Sequence, residues 1–311
     1  MAIINGTYRD DHLRGTSTRD IISGYEGFDL IQGGGGNDDL YGDAGDDDIY
    51  GGTGDDRIDG GTGWDNLFGQ AGDDIIRGYF GDDLLNGGDG DDVLQGEGDN
   101  DLLLGGAGND RLVGGEGNDD IEGEAGNDNA DGGAGYDRIG GGDGNDLLRG
   151  GADLDDVYGD AGNDRLYGDA GRDRLYGGDG ADRIDGGTDN DLIVGGDGID
   201  RLTGGSGADR FVLENDYDSR DVIVDFAGGS DRLSIDADSF GGGLAAGNAL
   251  RASQLVQGTN PQATGTRGQF LFDTDNGILR WDADGAGGDA AVYVARLEGV
   301  DAITTADFLV T

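Results

Sequence analysis

One apolar side chain recurs every nine residues through most of this chain. It stands at Leu13, Ile22, Ile31 and Leu40 and continues in phase to Leu202 and Phe211, with only Ala130 small. Between these positions the residues are almost all polar or glycine. The residue two places before each apolar position is aspartate without exception. From Gly6 to Val212 the chain divides into 23 consecutive nonapeptides with no insertion, each beginning with Gly. The fourth position is also Gly except at Arg9, Thr18, Asp99, Asp153 and Asp189. A stretch of Gly and Asp makes a turn, because Gly reaches positive φ freely and Asp bonds its own backbone. The three residues that follow predict a short strand whose middle, apolar side chain faces inward. Two repeats then close one coil, and the coils stack into two parallel sheets back to back. At about 4.8 Å per coil the array predicts a rod roughly 55 Å long.

The units follow the pattern GGxGxDxUx and resemble the repeat of the RTX (repeats-in-toxin) family, such as the serralysin-type β-roll. The fold class expected is all-β, a parallel β-roll with a C-terminal β-rich cap. The expected domains are a lead-in over 1–5, the roll over 6–212 and the cap over 213–311.

Charge decides what such a roll requires. The chain has 311 residues, with 67 acidic against 20 basic, a net charge of −47, 71 Gly and 34% hydrophobic residues. A core of one apolar residue per repeat is thin against the entropy of so much glycine. The composition lies near that of disordered chains. Cysteine is absent, so disulfides add nothing. The acidic excess argues against nucleic acid or an anionic membrane as partner. No apolar run approaches the ~20 residues that span a bilayer. The first residues, Met1 to Gly6, do not read as a cleaved secretory signal.

Residues 18 apart stack on one edge of the roll. One edge aligns Asp11, Asp29, Asp47, Asp65, Asp83, Asp101, Asp119, Asp137, Asp155, Asp173, Asp191 and Asp209. The other aligns Asp20, Asp38, Asp56, Asp74, Asp92, Asp110, Asp128, Asp146, Asp164, Asp182 and Asp200. Carboxylates about 5 Å apart repel and need cations between them. Aspartate also suits tight turns for its own sake, but ordinary turns mix it with Asn and Ser. Hard oxygen donors without His or Cys select calcium over zinc or copper, and magnesium dehydrates reluctantly. The resemblance implies a calcium between successive turns on one edge. Each takes a carboxylate oxygen from two Asp plus glycine carbonyls, such as those of Gly34, Gly36, Gly52, Gly54, Gly88, Gly90, Gly106 and Gly108. About twenty such ions would supply roughly +40 against the −47 of the chain. Asp11 and Asp20 lie in repeats that lack the second and fourth glycines. Asp99, Asp153 and Asp189 all fall on one edge and are expected to alter its sites.

After Val212 the phase ends. Asp221-Val222-Ile223-Val224-Asp225-Phe226, followed by Asp231-Arg232-Leu233-Ser234-Ile235, resembles the segment that follows the repeats in serralysin-like proteins. Gln269 to Asp273 and Ile278 to Asp282 predict a hairpin, and Ala291 to Leu297 a further strand. Asp273-Thr274-Asp275-Asn276-Gly277 is rejected as an EF-hand loop because its Gly comes one place early. The final Asp307-Phe308-Leu309-Val310-Thr311 is similar to the acidic-then-apolar tail of type I secretion substrates. That resemblance implies a type I exporter as partner and a secreted, extracellular or cell-surface location.

His12 is the only histidine and Cys is absent, so neither an HExxH zinc centre nor a cysteine nucleophile exists. No GxSxG elbow occurs. The expectation is a calcium-binding structural or interaction protein, not an enzyme. The alternative is a calcium-dependent module for an anionic or cell-surface polysaccharide in a polymer-modifying (epimerase- or lyase-like) system. Arg165, Arg183 and Arg201 would grip it as a ladder, unless they pair with acids such as Asp185. Phe68, Leu84, Leu102 and Leu104 form an apolar patch on the opposite face. An ice-binding face would need aligned Thr or Asn, and Thr53, Thr62 and Thr188 do not align.

Overall fold

A computed structural model describes residues 1–214, 220–286, 288 and 290–311. It is all-β but for one four-residue helix, Ala237–Phe240, and two short 3-10 turns. The chain forms two compact units, Met1–Ala161 and Gly162–Thr311. No described helix is long and apolar enough to cross a membrane.

In the first unit, parallel strands alternate between two sheets. One sheet runs from Ile3–Asn5 and Ile21–Glu26 through Asp39–Ala44 and Arg57–Thr62. The other runs from His12–Arg14 and Leu30–Gly35 through Asp48–Thr53 and Asn66–Ala71. Every pairing joins residues 18 apart, as in Ile31↔Ile49 and Leu94↔Leu112. The apolar position of each repeat is sealed: Ile22, Ile31, Leu40, Ile49 and their successors to Val157 have no exposed surface.

The strands are longer than the three residues that the apolar triplet predicts. Most span six, as in Leu30–Gly35 and Leu102–Ala107. They continue through the first three residues of the next repeat because backbone pairing needs no side chain: Gly34↔Gly52 and Gly35↔Thr53 extend the ladder. The lead-in is also a strand. Ile3, Ile4 and Asn5 pair with Ile21, Ile22 and Ser23, so Ile4 extends the apolar column.

From the third repeat onward, positions two and four turn through positive φ. Tyr25, Asp43, Gln70, Tyr79, Glu97 and Glu124 adopt it at position two, and Asp99 and Asp153 at position four. Asp99 and Asp153 therefore preserve the turn. Glycine is needed most where coils come closest. A methyl on Gly126, at φ 146°, would run into the carbonyl oxygen of Gly108 in the coil before. Gly126→Ala is expected to raise the calcium concentration at which the chain folds, read by circular dichroism, because the coils must separate to admit it. An unchanged midpoint would contradict this stacking.

The second unit continues the pattern within itself. Arg165–Ala170, Arg183–Thr188, Arg201–Ser206 and Asp221–Ile223 form one parallel series, and Val292–Leu297 adds to it. Arg174–Gly180, Leu192–Gly198, Arg210–Leu213, Arg232–Ile235 and Phe308–Val310 form the other. The predicted hairpin is present: Gln269–Asp273 and Ile278–Asp282 pair antiparallel, and the latter pairs antiparallel with Val292–Leu297. These antiparallel strands form the C-terminal cap. Its own core is aromatic, with Phe270 packed 4.5 Å from Trp281 and 4.9 Å from Phe308 between ring centres. The indole N–H of Trp281 donates to the carbonyl of Phe240 at 3.0 Å.

Candidate metal centre

The sixth-position aspartates line up as the sequence predicts. Each holds the preceding coil through one oxygen: Oδ1 of Asp47 accepts the backbone N–H of Asp29 at 2.7 Å, and Oδ1 of Asp110 that of Asp92 at 2.7 Å. The same bond recurs along both edges of the first unit and, from Asp182 to Asp209, in the second. Oδ2 is buried and accepts no hydrogen bond in Asp29, Asp38, Asp47, Asp56, Asp65, Asp74, Asp83, Asp92, Asp101, Asp110, Asp119, Asp128 and Asp137, and again in Asp182, Asp191 and Asp200. A buried oxygen anion without a donor is costly unless a proton or cation meets it.

Burial, reinforced by neighbouring carboxylates, pushes these groups up. Asp47, Asp65, Asp74 and Asp128 rise from 3.8 to about 7 and Asp101 to about 8. In the second unit Asp191 rises to about 7. A folded-state value above the unfolded one contributes stability below pH 3.8 that is lost as pH rises through about 7. The metal-stripped chain should therefore gain sheet signal on acidification from pH 8 to pH 5. Loss of signal over that range would contradict the burial of these carboxylates.

The first two repeats are built differently. Oδ2 of Asp11 accepts the N–H and hydroxyl of Thr7 at 2.6 and 2.9 Å, and Oδ2 of Asp20 those of Thr16 at 2.6 and 2.8 Å. The Asp20 carboxyl is held below its usual value, chiefly by the N–H of Ala2 and then by Thr16. Threonine at position two thus supplies in protein what the later aspartates lack.

The columns also extend past the repeats. Oδ1 of Asp221 accepts the N–H of Asp200 at 3.0 Å, and Oδ1 of Asp231 that of Asp209 at 3.1 Å. Burial, then the charge of Asp200, pushes Asp221 up. The repeat count missed both because their spacing is 21 and 22 residues. The signal was present in Asp221-Val222-Ile223 and Asp231-Arg232-Leu233, each an Asp two places before an apolar residue.

A second column was missed at position five. Asn109 donates its N–H and Nδ2 to Oδ1 of Asp91, Asn127 to Asn109, and Asn145 to Asn127, all at 2.7–3.0 Å. Asparagines do align, contrary to what the threonines alone indicate. Their Oδ1 atoms accept from the next coil, opposite in sense to the Asp column, whose Oδ1 atoms accept from the coil before. Among the described residues no three His, Cys, Asp or Glu side chains converge as a metal cage. A cation here must draw on few carboxylates and on backbone carbonyls. Those of Gly34, Gly36, Gly88 and Gly90 face the coil above, where Gly52, Gly54, Gly106 and Gly108 leave room for them. Such hard, flexible oxygen donors fit calcium.

Models of the RTX calcium-binding nonapeptide repeat match overlapping windows that together cover residues 5–219. The chain belongs to the RTX calcium-binding repeat family. It binds multiple calcium ions through a parallel β-roll. The solution structure of the AlgE6R3 subunit from the Azotobacter vinelandii mannuronan C5-epimerase is similar at 26% identity, over 54% of this chain and 80% of that one, with TM-score 0.29. The crystal structure of a hyperactive, Ca2+-dependent, β-helical antifreeze protein from an Antarctic bacterium is similar at 20% identity, over 74% and 84%, with TM-score 0.31. No curated protein matches the chain.

The remaining sequence candidates fall as follows. His12 is an exposed strand residue paired with Leu30. Arg165, Arg183 and Arg201 stand in register. The charge of Arg183 acts on Asp185, and Arg201 pairs with Glu298 at 3.3 Å. Leu84 lies beside Leu102 and Asn86 beside Phe68 and Leu104, with Tyr50 stacked on Phe68 at 4.9 Å.

Proposed function

We propose that this is a secreted structural or interaction protein that folds when calcium outside the cell fills its aspartate columns. The observation that carries the reading is the row of buried, unpartnered Oδ2 atoms. Each calcium would take carboxylate oxygen from two aspartates 18 apart, from Asp29 onward, and carbonyls of position-two and position-four glycines. Asp11 and Asp20 would stay metal-free, since Thr7 and Thr16 occupy their oxygens. The chemistry is structural rather than catalytic, because calcium would hold these carboxylates ionised and committed.

The proposed export signal supports the same order of events. Phe308–Val310 pairs with Arg232–Ile235 and Phe308 is buried, so the tail is presented only by an unfolded chain. Cytosolic calcium lies far below the ~10⁻⁴–10⁻³ M at which extracellular modules bind. The chain would then stay open inside and fold as it emerges. The test is export of the full chain and of a chain ending at Val212 through a type I exporter. Export of the full chain alone supports the reading, and equal export of both refutes a C-terminal signal. Calcium-dependent binding of an anionic polysaccharide, lost in Arg165→Ala/Arg183→Ala, would favour the polysaccharide module instead.

A further inference from the structure

Outside the repeats, the cap holds a second pair of stranded carboxylates. Asp282 ends the strand Ile278–Asp282 opposite Gln269 and is 7% exposed. Asp284 follows two residues later. Oδ1 of each is buried and accepts no hydrogen bond. Oδ2 of Asp284 is already used, accepting the N–H of Gly288 at 2.9 Å. The two carboxyls face one another closely. Burial first, then hydrogen bonding with Asp284 and its charge, raises the Asp282 carboxyl.

The segment to which their loop is tied is itself held. Oε1 of Gln269 accepts the N–H groups of Thr264 and Gly265 at 2.8 and 2.9 Å, and its Nε2 donates to Ser253 at 2.7 Å. The N–H of Ala286 donates to the carbonyl of Gly265 at 2.6 Å. Carbonyl oxygens of Gly265 and Arg267 approach Gly285 so closely that a methyl there would lie 2.5 and 2.7 Å from them. The carbonyls of Gly265 and Arg267 thus lie against Gly285, the residue after Asp284, in a loop tied down by hydrogen bonds. Nothing in the nine-residue repeat builds this arrangement.

We propose that Asp282 and Asp284 form a separate calcium site in the cap, completed by loop carbonyls and water. Hard oxygen donors of both kinds are what calcium takes. A bound ion would meet both stranded oxygens at once and remove the repulsion between them. It would also lock the loop that follows Trp281, which is 1% exposed.

The chain has two tryptophans, Trp64 beside the Asp65 column and Trp281 next to Asp282. Terbium, a luminescent hard cation, can therefore read the two regions separately. In Trp64→Phe, tryptophan excitation should give terbium emission through Trp281, and Asp282→Asn/Asp284→Asn should abolish it. With Trp64 restored, the same double variant should still emit, which shows that the roll binds the probe whether or not the cap does. Undiminished emission from the double variant in the Trp64→Phe chain would overturn the proposal. Should the variant misfold, crystals of the unaltered chain in terbium decide. An anomalous peak within about 2.6 Å of both Oδ1 atoms supports the site. A pair of carboxyls sharing a proton with no peak between them refutes it.

Discussion

Stripping calcium from the protein should abolish the sheet signal of its repeats and expand the chain. The reason lies in what each coil contributes. One apolar side chain per repeat is sealed, as at Leu94 and Leu112. Against it stand the entropy of the glycines and one buried carboxylate whose second oxygen has no donor. Leaving a buried polar group unpaired costs about 1–3 kcal/mol, and more for a charge. Calcium reverses that balance. A site that binds only the folded chain adds about 2.7 kcal/mol when calcium stands a hundredfold above its Kd. Because each coil stacks on the one before, folding should be cooperative in calcium. The check is circular dichroism with small-angle scattering in chelator and then in millimolar calcium. Identical spectra and radii in both would show that the columns need no metal.

The nine-residue period made the roll legible because its two diagnostic positions have side-chain reasons. The eighth must be apolar to fill the core, and the sixth must be Asp to reach the N–H of the coil before. What the period could not show was set by backbone. The strands run on through Gly34 and Gly35 with no apolar marker, since glycine pairs as well as any residue. Ile3–Asn5 has the apolar Ile4 but no preceding turn to mark it. Asp221 and Asp231 keep the local signature and lose the spacing, because connecting segments of different length intervene. Asp282 and Asp284 were not legible at all. They stand in a loop tied through Ala286 to Gly265, which Gln269 holds in turn, a contact between segments with no shared pattern.

The contrast between the start and the middle of the array gives the sharpest test of the site. Asp110→Ala should raise the calcium midpoint strongly, and Asp11→Ala should barely move it. Asp110 is 2% exposed. Its Oδ1 accepts the N–H of Asp92, and its own N–H donates to Oδ1 of Asp128 at 2.7 Å. Its Oδ2 has no partner. Alanine would leave the Asp92 N–H buried and unpaired, at about 1–3 kcal/mol. It would also remove a ligand from the calcium sites above and below, each adding about 2.7 kcal/mol at a hundredfold Kd. Distant coils should be spared, since repeat stability is a nearest-neighbour sum. Asp11 has already spent its Oδ2 on Thr7 and lies in the open first coil, so its loss removes hydrogen bonds near solvent and no ion. Isothermal titration should accordingly show fewer calcium ions bound for Asp110→Ala and an unchanged number for Asp11→Ala. Equal shifts in the two midpoints would mean that the unpartnered oxygens are not where calcium binds.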